Sequence, residues 1–275
     1  MSALVTQFKF ALAALLTLPI GGLFWFLSRR SLSHTVQEPL SDAEKAFLVA
    51  HVPILRLLPE DLWPKLDTNI QRFLRQITYY GCDGQEVSRE MELVIAAQAC
   101  LLVVNTSAWY HRLRTVLVYP GAFKSRVFEF DGTVMHEYDC VRLGESWLGG
   151  PVVLSWEHSE EGANDPSDGH NLVLHEFAHQ IDDLSGSTDA IPLLENGQCY
   201  DTWKQVFDAA FARHVEHVQS GNETVLDAYG AEDPVEHFAV AVEVFFERPK
   251  ALRKEEPEVY AQLSEFFRLD PVSWA

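Results

Sequence analysis

The chain has 275 residues, with 21 Lys and Arg against 40 Asp and Glu, a net charge of −19. That balance, with a pI near 4.9, excludes the phosphate-neutralising surface of a direct nucleic-acid binder. Seven Trp, eight Tyr and 17 Phe exclude a disordered chain, and four Cys with no C-x-x-C spacing exclude a thiolate zinc knuckle or a redox pair.

The first predicted element is a charge-free run of 18 residues, Phe10 to Leu27, between Lys9 and Arg29-Arg30. As a helix it spans about 27 Å, enough to cross a ~30 Å hydrocarbon layer when its ends snorkel. Pro19 and Gly21-Gly22 in its middle suit a membrane helix better than a soluble one. Phe26-Leu27-Ser28-Arg29 is a poor signal-peptidase site, so a retained anchor is expected over residues 1–30. A polar connector follows at 31–44, and then a single body at 45–275. The basic residues after the run narrowly outnumber those before it. This predicts a single-pass inner-membrane protein with a cytoplasmic body.

In the body, Leu40-Ser41-Asp42 reads as a helix start, Ile70 to Ile77 as a helix, and Glu86 to Val104 as a long helix with a small apolar face. Strand-like runs follow at Thr115 to Tyr119, Arg126 to Phe130, Val134 to Tyr138 and Pro151 to Trp156, with Asp131-Gly132 as a hairpin turn. From Asp168 onward the pattern is almost entirely helical. Strands grouped before helices predict an α+β fold with a small mixed sheet and a helical C-terminal half. From Leu143 to Trp203 there is no Lys or Arg but there are twelve carboxylates. Most belong on a solvated surface, yet the stretch also forms a field that concentrates cations or substrate amines.

Within that stretch, Asn171 to Gln180 contains H-E-x-x-H. Residues i and i+4 share a helix face, so His175 and His179 can offer two imidazoles to one tetrahedral cation. Glu176, one position along, can take a proton from a metal-activated water and pass it to a leaving amine. Ser167-Asp168-Gly169 is expected to start this helix and Ser185-Gly186 to end it. Asp182 and Asp183 lie too far along the same helix to close the tetrahedron, so a later element must supply the third ligand.

Asp233 as N-cap and Pro234 as first residue begin such an element. Glu236 there suits a third ligand, and equally a capping box with Asp233. Glu243, two turns on, suits a buried hydrogen-bonded carboxylate. His237 points about 100° away from Glu236 and cannot face the same ion. Tyr229 lies in the preceding loop. Its phenol could donate to an oxyanion or simply pack on the helix. His214 and His217 read as an ordinary helix face rather than a second metal pair, and His158 and His170 as surface or loop residues. The strand at 151–156 is the expected place for a substrate to pair by strand addition.

Together these segments resemble the zinc-dependent peptidase family of Mlc titration factor A. The motifs concerned are His175-Glu-Phe-Ala-His179-Gln, Asp165 to Asn171, Glu145 to Trp156, Ala96 to Leu101, Val118 to Phe123, Pro234 to Val240, Glu243 to Phe246 and Asp270-Pro271. The resemblance covers roughly residues 45 to 272. It implies a gluzincin-type metallopeptidase fold holding one Zn2+ per chain. By position, His175, His179 and Glu236 match the zinc ligands, Glu176 the catalytic base and Tyr229 the transition-state tyrosine. It further implies aminopeptidase-like hydrolysis of peptides with a free amine. The alternative it implies is a regulator that sequesters a transcriptional repressor, with zinc structural or catalysis secondary. His237 stands where that family more usually has an aromatic, and the N-terminal anchor is not part of the founding cytosolic protein.

Overall fold

The computed structural model describes residues 39–130 and 135–274. The apolar run at 10–27 and the Asp131-Gly132 turn lie outside the described residues. Among those described, no helix is long and apolar enough to cross a membrane.

Helix α1 (Asp42–His51) begins where expected, behind a capping box. Ser41 Oγ accepts from the Glu44 N–H while the Glu44 carboxylate accepts from the Ser41 N–H. Helix α2 (Trp63–Gln76) is nearly twice as long as the sequence pattern indicated. Pro64 sits in its first turn, where its missing N–H costs nothing. Strand β1 (Thr78–Gly81) follows. Ser88 then caps α3 (Arg89–Leu102), which is buried from Leu93 to its end.

Strand β2 (Thr115–Tyr119) pairs parallel to β1, with α3 as the crossover between them. The hairpin β3 (Phe123–Phe130) and β4 (Met135–Arg142) forms a separate two-stranded sheet. Strand β5 (Gly144–Ser146) runs antiparallel to β6 (Val152–Ser155), and β6 runs parallel to β2. The order β1-β2-β6-β5 makes a small mixed sheet. Strands and helices are less segregated than expected, because β1 precedes α3.

Helix α4 (Trp156–Asn164), capped by Ser155, follows β6 directly. The remaining elements are helical: α5 (Leu172–Asp182), α6 (Tyr200–Gln219), α7 (Pro234–Glu247), α8 (Pro249–Glu255) and α9 (Pro257–Phe267). Helix α5 is central, packing against α3, α4, α7, β5 and β6. Its Phe177 meets Phe73 of α2 and the ring of Tyr110. Around α7, Trp203, Phe207, Phe238 and Phe266 cluster through stacked and edge-on contacts, as do Phe245, Phe246 and Phe267. Each buried ring stabilises the fold by about 1.5–3 kcal/mol, so the helices that carry the histidines are set in a stiff aromatic frame.

Candidate metal centre

Helix α5 starts four residues later than the sequence suggested. Asn171, not Ser167 to Gly169, is the cap, its Oδ1 accepting from the Leu174 N–H at 3.0 Å. The α-helix ends at Asp182, and a 3-10 turn carries the chain to Gly186 at φ +98°, a left-handed cap that glycine permits. His175, Glu176 and His179 are all buried. Asp182 accepts from the Ala190 N–H and Asp183 from Thr188, so neither reaches the histidines.

Helix α7 begins at Pro234 with Asp233 as cap. Asp233 Oδ1 accepts from the backbone N–H groups of Val235 and Glu236 at 2.7 and 3.0 Å. The Glu236 carboxylate is turned away from that cap. Its Oε2 lies 2.9 Å from His175 Nε2 and 3.4 Å from His179 Nε2, and the two Nε2 atoms are 3.2 Å apart. The reciprocal bond of a capping box is therefore not made, and the carboxylate joins the two imidazoles instead.

Three ligand atoms on a tetrahedral cation with bonds near 2.0–2.1 Å stand about 3.3 Å apart. The observed separations fit that figure. One of the two remaining ring nitrogens fits it too. His175 Nδ1 donates to Glu243 Oε1 at 2.8 Å, and His179 Nδ1 is buried without a partner. A proton held on His175 Nδ1 by Glu243 leaves the Nε2 lone pair of that ring free to face a cation. Among the described residues these three form a His/His/Glu group able to hold a metal ion.

The charges around this point are unusual. Burial disfavours a charged His175, but the Glu236 and Glu243 carboxylates outweigh it and hold the imidazole well above its ordinary pKa. Burial likewise works against an ionised Glu236, yet its bonds to His175 and His179 keep it far below the carboxylate range. Two imidazoles between carboxylates form a pocket of negative potential that suits a cation. For Glu176, burial prevails and pushes the carboxyl up to about 7, moderated by the two histidines.

Glu176 faces a cavity of about 1290 Å³ that runs from the histidines past Tyr229 to His158, Asp165 and His170. The Tyr229 ring lies 5.8 Å from that of His175. Partial burial and the neighbouring Glu236, Glu232 and Glu176 raise its phenol, so it keeps its proton. His158, in helix α4 rather than a loop, bonds Ser155 Oγ, and His170 is exposed at the cavity margin. His217 is exposed and His214 buried, so they form no metal pair. His237 faces away from the metal ligands, toward Phe207, Phe211 and His214.

The strand at 151–156 cannot receive a substrate, because β6 is already paired with β2 on one side and β5 on the other. The edge strands of this sheet are β1 and β5, and the one beside Glu176 is β5. Leu143 and Trp147 spend backbone groups on β6, and alternation leaves those of Gly144 and Ser146 facing outward. Gly144 passes so close over Glu176 that an added Cβ would stand 2.7 Å from its Cγ and Cδ. From α5, Gln180 donates to Ser146 Oγ at 2.7 Å and to the Trp147 carbonyl at 3.2 Å, tying β5 in place. Nothing in the residue spacing pointed to Gly144 or Gln180. Asn171 could have been found as a cap-type residue directly before the apolar run.

The profile of the glucose-regulated metallopeptidase M90 family matches residues 25–268. The chain belongs to that family. An uncharacterized protein of Synechocystis sp. is 37% identical over 239 residues, covering 86% of this chain and 87% of its own length. Mlc titration factor A of Escherichia coli and that of Shigella boydii are each 31% identical over 229 residues, covering 80% of this chain and 84% of their own. For an M90 member, a bound metal and a peptide substrate are the family expectation. The His175, His179 and Glu236 cluster is where the described residues offer a metal its ligands.

Proposed function

We propose that the chain is a zinc-dependent, aminopeptidase-like peptidase with a gluzincin-type body. His175, His179 and Glu236 hold one Zn2+, Glu176 is the general base and Tyr229 an oxyanion donor. The observation that carries this reading is the convergence of three ligand atoms beside a buried glutamate, directly under the open edge of β5. Two imidazoles and a carboxylate suit zinc among the common divalent ions. Zinc bound there would polarise the scissile carbonyl and acidify the attacking water.

The protein's own residues account for the rest. A carboxyl near pKa 7 can both accept the water proton and release it to the leaving amine, and Glu176 has that character. Among the described residues no hydrogen bond occupies its carboxylate, which leaves both oxygens open to a water in the cavity. The Tyr229 phenol, protonated and beside His175, can donate to the oxyanion that develops at the scissile carbonyl. Gly144 and Ser146 offer main-chain groups to an extended peptide. Glu161, Asp165, Asp168 and Glu232 line the cavity, a setting that favours a substrate with a free amine.

The name of the Escherichia coli relative, Mlc titration factor A, supports a second reading. In it the chain binds a transcriptional repressor and holds zinc for structure alone. Anchoring by residues 1–30 at the inner membrane, with a cytoplasmic body, belongs to the same proposal. Its support is the charge-free run at 10–27, most of which precedes the family match.

One substitution separates the two readings. Glu176→Gln is expected to abolish cleavage of an amino-acid p-nitroanilide while bound zinc, measured by atomic absorption, stays at one per chain. Full activity in that variant would overturn the hydrolytic mechanism. Unchanged zinc in Glu236→Ala would remove the third ligand.

A further inference from the structure

His214 has no part in the site described above, yet it is buried to 3% exposure. It projects from α6, and both ring nitrogens engage the segment that leads to Tyr229. Nε2 lies 2.9 Å from the Asp227 carbonyl oxygen. A carbonyl only accepts, so that nitrogen carries a proton and donates. Nδ1 lies 3.2 Å from Thr224 Oγ1, whose hydroxyl also reaches the Leu226 carbonyl at 2.8 Å. One imidazole thus ties residues 224–227 to α6.

Asp227 is the residue from which the Tyr229 turn hangs. Its Oδ1 accepts from the Tyr229 N–H at 2.8 Å, and its carbonyl accepts from the Gly230 N–H at 3.0 Å. The carbonyl that closes this turn is the one His214 holds. Tyr229 itself is 42% exposed, so the place of its phenol is set more by the backbone of the turn than by packing. The far side of His214 is walled by His237, whose ring centroid is 5.5 Å away. Gly230 closes the remaining side, since a Cβ there would stand 3.5 Å from His214 Nε2. The imidazole has little room to rotate.

We infer that His214 is a positioning residue for Tyr229. Through the Asp227 carbonyl it sets the turn that aims the phenol at the reacting centre. This deepens, and rests on, the reading of Tyr229 as an oxyanion donor. A phenol displaced by an ångström loses most of its value in the transition state while substrate binding is spared.

The test is steady-state kinetics of the full chain on an amino-acid p-nitroanilide. It compares His214→Phe, Tyr229→Phe, the double variant and His214→Gln, whose amide N–H can still reach a carbonyl. His214→Phe is expected to lower kcat about tenfold with KM unchanged and with metal content unchanged, and His214→Gln to recover part of that loss. On the Tyr229→Phe background, His214→Phe is expected to cost nothing further. An undiminished loss on that background, or a loss that follows the zinc content, would overturn the inference. Should His214→Phe fail to fold, Thr224→Val keeps the imidazole and removes its hydroxyl partner. A twofold to fivefold fall in kcat is then expected, roughly, again only where Tyr229 is present, and an unchanged kcat overturns the inference. Full activity of Tyr229→Phe would remove the oxyanion reading and this inference with it. The peptidase reading would still be decided separately by Glu176→Gln.

Discussion

Glu243 Oε1 accepts from His175 Nδ1 at 2.8 Å, on the side of the ring opposite the ligand cluster, and Glu243 Oε2 accepts from the backbone N–H of Asn171. One carboxylate on α7 therefore braces the histidine proposed as a metal ligand and also holds the N-cap residue of the helix that carries it. Partners of this kind raise ligand basicity and limit ring rotation, and losing one typically costs 10–100-fold in metal affinity. Glu243→Ala is expected to weaken zinc binding by about that factor, measured by competition with a chromophoric chelator. Affinity equal to wild type would mean that the carboxylate serves only the helix start.

Gly144 supplies a second prediction. It sits at an ordinary backbone conformation, so no strain demands glycine. The demand comes from the approach of β5 to the Glu176 side chain, where a Cβ would overlap Cγ and Cδ. The methyl of Gly144→Ala must displace either the Glu176 side chain or the edge strand, and β5 is tied to α5 through Gln180. We expect kcat/KM to fall by about 100-fold while stability drops by about 1–3 kcal/mol and zinc content is unchanged. A variant with wild-type kcat/KM would show that β5 moves freely and is no part of the catalytic frame.

The site was more legible in the sequence than the fold around it. His175 and His179 could be read as neighbours on one face, with Glu176 beside them, because a helix brings i and i+4 together. Glu236 was half legible. Asp233-Pro234 marked its helix start, but spacing alone cannot say whether a carboxylate at that position turns back to the cap or across to a neighbouring helix. Strands β1 and β5, four and three residues long, carry too few positions for alternation to appear. Their pairing is set by contacts distant in sequence, as is the closing of both edges of β6. Helix α4 was missed because Trp156 ends a strand-like run and begins the helix at once, with only Ser155 to mark the change.

Phe177 tests whether the aromatic frame supports the site. It lies on the face of α5 opposite the cavity, fully buried, with ring centroids 5.6 Å from Phe73 and 5.2 Å from Tyr110. Phe177→Ala leaves a cavity among three elements and is expected to cost about 3–5 kcal/mol by denaturant unfolding. Phe177→Leu should cost well under half as much, because the void is smaller. A loss below about 1 kcal/mol for the alanine variant would show that α5 is held chiefly by its polar contacts.

Glu247 makes stability depend on pH, with a sign that can be worked out. Its Oε1 accepts from Asn171 Nδ2 at 2.9 Å and its Oε2 from the Gly169 N–H at 3.1 Å. Burial nevertheless dominates, aided by the nearby Asp168 and Glu243 charges, and raises its carboxyl from 4.5 to about 9. Between those values the folded chain keeps a proton that the unfolded chain releases, so the folded state binds more protons and stability falls as pH rises. The fall from this one group has a limiting slope of about 1.4 kcal/mol per pH unit. Glu176 and Asp182, both raised to about 7 by burial, act in the same direction, so wild type alone cannot isolate Glu247. Glu247→Gln can. An amide offers one acceptor where the carboxyl offered two, so the variant should be less stable by about 1–3 kcal/mol near pH 5. It should then lose less than wild type on going to pH 8.5, and the two urea-midpoint curves should converge. Parallel curves across that range would show that Glu247 is ionised in the folded protein.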